Sequence, residues 1–429
     1  MKLITKLGTL AIAAGLAVPL ATGCASTATT PAPGGASSGA AAQNVTLDWG
    51  FWNQGEAGNK MWQGLADEVN KQHPNITVKL TSPPFADYFT KLQSQLAANE
   101  APCIMSMQSL RLPAFAQAME PMDELLKTSG FNASEWNPAA IKALQNNGKQ
   151  YALPYGISTV VLYYNKDAFK DAGVAEPKPG WTVAEFEAAA RTITEKTGKP
   201  AFGQSFSDLH MFSTLYAYNQ ARPVDESGKL TLTEGKMVDA FTWYTGLATA
   251  KKVSLVPASA SDIPWGEQQF VAGNVAMASD GSWNISSNAT QAKFNVGVTT
   301  LPGKGTFSAN SGFGISKNCK YKKEALQAIQ VITGAKAQET AAAAGTFPAR
   351  TAASKTFYDG LATKLDSKTP GYSAQAKAAI EGSSADALPF LSTTKWDQTT
   401  KTIAREFILA YTGSQDPKKT LENVQQTAG

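Results

Sequence analysis

Residues 45–107 switch repeatedly between the two periodicities of regular structure, and this alternation constrains the fold more than any other feature. Val45, Leu47 and Trp49 stand two apart, as on one face of a strand. Met61, Leu65 and Val69, with Trp62 beside them, share one face of a helix that stops before Pro74. Ile76, Val78 and Leu80 alternate as a second strand, Phe85, Phe89, Leu92 and Leu96 mark a second helix, and Cys103 to Met107 form a third strand. Strand–helix–strand order implies crossover connections, hence parallel strands with helices covering the sheet. Ligands of such sheets lie beyond the carboxyl ends of the strands. The loops Phe51–Glu56 and Gln108–Arg111 therefore belong to one rim.

A second block follows Tyr151. Val160 to Tyr164 reads as a strand, and Thr182-Val183-Ala184-Glu185 is a capping box that opens a helix. Val238, Phe241 and Thr245 continue a helical face, and Gly273-Asn274 turns into a strand from Val275 to Ser279. Phe294 to Val298 is another strand, and a helix runs from Lys322 to Thr333. There is no internal repeat.

The composition narrows the function. Lys and Arg number 38 against 34 Asp and Glu, and no basic run interleaves with aromatics, so capture of nucleic acid is excluded. Two His and three Cys do not make a multi-ligand zinc site, and no motif calls for a cofactor. Charged residues are 17% of the chain, a low share, whereas Trp, Tyr and Phe number 9, 12 and 19.

The first residues read as an export signal. Lys2 and Lys6 precede an apolar stretch from Leu7 to Leu20 that is too short to span a membrane. It ends in Leu20-Ala21-Thr22-Gly23-Cys24, which resembles a bacterial lipobox and implies cleavage after residue 23 and lipidation of Cys24; Ala21 replaces the usual Leu. An ordinary cleaved signal with an incidental cysteine is the alternative. Ala25 to Gln43 carries no charge and no large side chain, so residues 24–43 are expected to form a flexible tether reaching about 20–25 Å.

Five motifs carry a resemblance over essentially the whole body. Gly148-Lys149-Gln150-Tyr151-Ala152-Leu153-Pro154, Leu162-Tyr163-Tyr164-Asn165-Lys166-Asp167 and Gly180-Trp181-Thr182 are similar to segments of carbohydrate-binding proteins of ABC importers. So are Phe270 to Met277 followed by Gly281-Ser282-Trp283, and Ile315-Ser316-Lys317-Asn318 before a helix. The resemblance implies an α/β, two-lobed periplasmic-binding-protein-like fold of type II (the maltose-binding-protein-like kind) with three interlobe crossover segments. The crossings would fall near Tyr155, near Asn310 and between Gly345 and Arg350. The N-terminal lobe would comprise residues 44–155 and 311–346, the C-terminal lobe 156–310 and 347–429. In this fold the returning strand from Gly312 to Lys317 runs antiparallel beside the third strand, which implies a disulfide between Cys103 and Cys319; two separate buried thiols are the alternative.

A sugar presents nearly apolar C–H faces, which Trp or Tyr can cover, and hydroxyls, which carboxylates, amides and Arg can satisfy in pairs. Asn53, Gln54, Glu56 and Gln108 on the first rim are candidate polar contacts, Asn53 to Glu56 being otherwise a solvated turn. On the second lobe Trp283 ends a strand where the family stacks a sugar ring, with Asp280 beside it either accepting hydroxyl protons or capping the turn. Tyr155 and Trp265 are further stacking candidates, and Phe313 would lie at the cleft floor. Arg350 either forks onto a hydroxyl pair or makes an interlobe salt bridge. Asp208 and His210 form a polar–aromatic stretch with Phe206, a lone His being more often structural; two or more of Trp49, Trp52 and Trp62 belong to the core.

The implied function is capture of an oligosaccharide and delivery to an ABC permease, without catalysis, by a monomer anchored at the extracellular face of the bacterial cytoplasmic membrane. The rival readings are an exported glycoside hydrolase and a binding protein for a non-sugar solute. From Asn44 onward the sequence shows no Gly-x-Ser-x-Gly, His-Glu-x-x-His or phosphate-loop motif; Gly35 to Gly39 spells the first only within the expected tether.

Overall fold

The computed structural model describes residues 43–259 and 265–429; Cys24, the signal, the tether up to residue 42, and Pro264 lie outside the described residues. Ten strands build two five-stranded sheets. They are β1 (Val45–Gly50), β2 (Ile76–Thr81), β3 (Ile104–Gln108), β4 (Ala152–Gly156), β5 (Val160–Asn165), β6 (Phe202–Gly203), β7 (Ser254–Leu255), β8 (Met277–Gly281), β9 (Val296–Thr299) and β10 (Ser311–Ile315). The helices that position the site are α1 (Gly55–Gln72), α2 (Phe85–Ala97), α3 (Val183–Thr197), α4 (Asp208–Asn219), α5 (Trp265–Val271), α6 (Lys322–Ile332) and α7 (Trp396–Tyr411).

The first sheet has the order β2-β1-β3-β10-β4. β1 pairs in parallel with β2 and β3, as the strand–helix alternation requires. Val45, Leu47 and Trp49 are buried while the residues between them are exposed. α1 buries Trp62, Leu65, Ala66 and Val69, and Trp49, Trp52 and Trp62 all lie in the core. β10 enters antiparallel between β3 and β4, the placement expected of the returning strand.

The second sheet has the order β9-β5-β8-β6-β7. β5 is buried on both faces: Val160, Leu162 and Tyr164 pack with Phe186 and Phe202 on one side, Val161 and Tyr163 with Phe270 and Tyr372 on the other. The capping box at the start of α3 forms, with Thr182 and Glu185 bonding each other's backbone amides. The strand expected from Val275 instead begins at Met277. The chain first completes a turn behind α5, where Gly273 takes φ 77° and its amide donates to Phe270, and that delays entry into the sheet.

Two connections join strands of the two sheets, β4 to β5 and β9 to β10, and the segment around Phe347 and Pro348 runs beside them. Gly156 bridges to Pro348 and Thr159 to Ser308. The Ile157 amide donates to the Phe347 carbonyl at 3.1 Å, and the Ala309 amide to Ser158 at 3.0 Å. Where β10 returns to the first sheet, Cys103 and Cys319 form a disulfide with Cα atoms 4.8 Å apart. The bond closes a sequence separation of 216 residues. Replacing either cysteine by Ser is expected to cost about 2–4 kcal/mol of unfolding free energy, checked by urea denaturation of the variant and of the reduced wild type.

Candidate ligand-binding site

β6 and β8 run parallel, so both release the chain at the same edge of the second sheet. From β6 the segment Gln204–Ser207 leads to α4, whose first residue is Asp208. α5 approaches so closely that a Cβ on Gly266 would stand 2.6 Å from the Gln204 carbonyl, and that approach brings Glu267 inside. The Glu267 carboxylate accepts from Ser205 Oγ at 3.1 Å and bonds His210 Nδ1. From β8 comes Asp280, whose oxygens accept from the Gly281 amide at 2.6 Å, Asn284 Nδ2 at 3.0 Å and Asn288 Nδ2 at 2.8 Å. Asp280 Oδ1 also lies 3.7 Å from His210 Nε2. Trp283 then folds back over this cluster. Its ring lies 5.5 Å from that of His210 at 26° between planes, and it is 41% exposed. A Cβ on Gly281 would come within 2.2 Å of the indole, so only glycine lets the ring lie there.

The carboxyl ends of the first sheet form the other rim. Trp52, after β1, is buried edge-on to Tyr88 and Phe85, while Phe85 at the start of α2 stays 44% exposed. Asn53 Oδ1 accepts from the Gly55 amide at 2.7 Å, and Gln54 and Glu56 are exposed. Gln108 accepts from Arg111 Nε at 3.3 Å. Arg111 lies 4.5 Å over the Phe89 ring and pairs with Asp397 at the start of α7. Gln93 donates to the same carboxylate at 3.1 Å, and Trp396 Nε1 donates to Asp208 at 2.7 Å. The two rims thus meet through the first turn of α7.

Several expected contacts turn out to be internal. Phe313 is fully buried between Trp49, Phe51 and Trp62, and Tyr155 stacks on it at 4.8 Å, so both are core rather than cleft floor or platform. Asp280 is buried and caps its own turn, the second of its two expected roles. His210 is 4% exposed and held by Glu267. Arg350 pairs with Glu135, donates to the Thr333 carbonyl at 3.0 Å and stacks 4.3 Å over Trp136, which leaves no fork for hydroxyls. Asp208 is engaged by Trp396, and Trp265 is half-buried at the start of α5. The rims instead offer Trp283, Phe85 and the polar turn Asn53–Glu56. Sequence reading missed Glu267, Phe85 and the Arg111–Asp397 pair. By its spacing Phe85 belongs to a helix face, and nothing in the spacing joins Arg111 to Asp397 or His210 to Glu267.

The electrostatics follow from burial. Burial pushes the Asp280 carboxyl up to about 6, against the downward pull of His210. For His210 burial works against the charged ring, but Glu267, then Asp280 and Asp208, outweigh it and raise its affinity for a proton. Burial also lowers the proton affinity of Arg111, with Asp208 opposing. His210, Glu267 and Asp280 are the one group among the described residues whose donor atoms, all within 4.8 Å of one another, could approach a metal. The Glu267 and Asp280 oxygens are already engaged by His210 Nδ1, Ser205, Gly281, Asn284 and Asn288, an ion-paired cluster rather than an open ligand set.

Residues 64–386 match the family model described as bacterial extracellular solute-binding protein. The chain belongs to this family. It is 28% identical over 279 residues to the sn-glycerol-3-phosphate-binding periplasmic protein of Pectobacterium atrosepticum, covering 61% of this chain and 62% of that one. It is 24% identical over 212 residues to an arabinooligosaccharide-binding protein of Bacillus subtilis, covering 48% of each. The chain thus spans about half to three-fifths of the length of these curated relatives. Among solved structures, an ABC substrate-binding protein of Listeria monocytogenes in complex with cycloalternan superposes with a TM-score of 0.77 at 24% identity, covering 89% of this chain and 97% of that one. The GacH receptor of Streptomyces glaucescens gives 0.73 at 24%, with the same coverage. The solute-binding protein therefore has the two-lobed periplasmic-binding-protein-like fold, and among the described residues no helix is long and apolar enough to cross a membrane. Replacing Arg111 by Ala is expected to cost about 1–3 kcal/mol, because the pair is partly buried. Faster amide exchange in residues 392–400 together with a lower unfolding midpoint would check it.

Proposed function

We propose that this protein captures a neutral oligosaccharide between the two rims and presents it, unchanged, to the permease of an ABC importer. The observation that carries this reading is Trp283: a large apolar plane, half in solvent, held at a strand end by glycine and a buried ion-paired cluster. Such a plane suits the C–H face of a sugar ring. Phe85 on the opposite rim offers a second plane, and Asn53, Gln54 and Glu56 offer hydroxyl partners.

Charge argues for a neutral ligand over a phosphate ester. The charged groups gathered where the rims meet are Asp208, Glu267, Asp280 and Asp397, against Arg111 and His210. Arg111 is committed to Asp397 and His210 to Glu267, so neither is left to meet a phosphate. The relatives that bind arabinooligosaccharide and cycloalternan support the sugar class.

In this reading residues 44–155 with 311–346 form one lobe and 156–310 with 347–429 the other, hinged at the three adjacent segments. The closed form binds better because both rims touch the ligand only there. Micromolar affinity, about −8 kcal/mol, is within reach of two stacks and a few hydroxyl hydrogen bonds. Lipidation at Cys24 would hold the monomer at the extracellular face of the membrane.

Screening α- and β-linked oligosaccharides alongside glycerol 3-phosphate should give a rise in melting temperature with an oligosaccharide only. Trp283→Ala should then weaken that sugar at least tenfold, about 1.4 kcal/mol, by calorimetry, with Phe85→Ala smaller but in the same direction. Stabilisation by glycerol 3-phosphate instead would assign the phosphate class, and release of shorter sugars on incubation would mean a hydrolase.

A further inference from the structure

The cluster beneath Trp283 has more charge than a ring support requires. His210 is enclosed by Glu267 from α5 through Nδ1 and by Asp280 from β8 beside Nε2, with Asp208 on its own helix. Nε2 is buried and has no hydrogen-bond partner. If the ring were neutral with its proton on Nδ1, the Nε2 lone pair would face the Asp280 carboxylate. The charged ring is the form that both acids favour. Its flat face supports the indole of Trp283 at 5.5 Å, within the range where a cation attracts an aromatic ring. The phenols nearest this cluster, Tyr163, Tyr244 and Tyr372, are all held above their ordinary range by burial and stay neutral near pH 7.

We propose that His210 is a positioning residue whose imidazolium, clamped by Glu267 and Asp280, fixes the plane of Trp283 and thereby makes ligand capture proton-dependent. The functional half of this statement rests on the sugar-binding reading above; the coupling between the two rings does not. The sign follows from the geometry and is reinforced by the raised proton affinity of His210. A folded value above the unfolded 6.5 means that the stabilisation is complete below 6.5 and is lost as pH rises through the folded value. Burial holds the Asp280 carboxyl up to about 6, so on the alkaline side it is the proton on His210 whose loss breaks the charged pair. On the alkaline side the indole loses its cationic floor, while the hydrogen bonds of Asp280 to Gly281 and Asn284 remain.

The chain has only two histidines, so His73→Gln identifies the ring signals of His210 by NMR, and Trp283→Phe identifies the indole resonance of Trp283. In the full ligand-free chain, the Trp283 indole should show a one-proton transition at the same pH as His210, above 6.5, that vanishes in His210→Gln. With the oligosaccharide that gives the largest thermal shift, wild-type affinity should fall at least fivefold across that transition and stay flat in His210→Gln. A Trp283 resonance that does not follow His210 overturns the proposal, and this needs neither a ligand nor a variant at His210. Affinity that is flat through the transition while Trp283→Ala binds weakly overturns the functional half and leaves the sugar platform standing. If Trp283→Ala binds like the wild type, the platform reading and the functional half fail together, whereas the ring coupling is judged by the resonances alone.

Discussion

The return of β10 to the first sheet is the constraint on which the rest depends. Its residues, Ser311 to Ile315, are all buried and pair with β3 on one side and β4 on the other. Without it β4 would have no place in the sheet, and Phe313 would not complete the packing of Trp49, Phe51, Trp62 and Tyr155. All five strands of the second sheet lie in the chain between β4 and β10, so the first sheet is completed by a strand that follows the second sheet in sequence. The disulfide at Cys103 and Cys319 holds that long excursion at its base.

This topology also explains why the site is made of ends. Parallel β1, β2 and β3 release their loops on one rim, and parallel β6 and β8 do the same on the other. Exposed aromatic planes survive at such ends because the side chains beneath them are locked. Trp52 packs under Phe85, and the His210 cluster lies under Trp283. Most other large aromatics of these loops are consumed by the cores.

What was legible in the sequence divides by range. The parallel sheet, the helical face of Leu65 and Val69 with Trp62 beside it, and the capping box at Thr182 are readable because period and capping are local; Met61, expected on that face, is only half-buried. The pairing of Cys103 with Cys319 was readable only through the family resemblance, since it needs the register of β10 against β3. Tyr155 and Phe313 were misread because an aromatic beside a crossing looks the same whether it faces a cleft or a core. For Arg350 the sequence does not separate a ligand fork from a salt bridge, because Glu135 and Trp136, which engage it, lie more than 200 residues earlier in the chain.

By itself, the sequence determined the alternation that makes the first sheet parallel at its start, the aromatic supply, and Gly281 ahead of Trp283, because each is read from residues close together in the chain. Tertiary structure alone decided which aromatics remain in solvent and which acids are spent on Arg111 and His210. Those outcomes depend on residues up to 286 positions apart, as Arg111 and Asp397 are, brought together only when both sheets have closed.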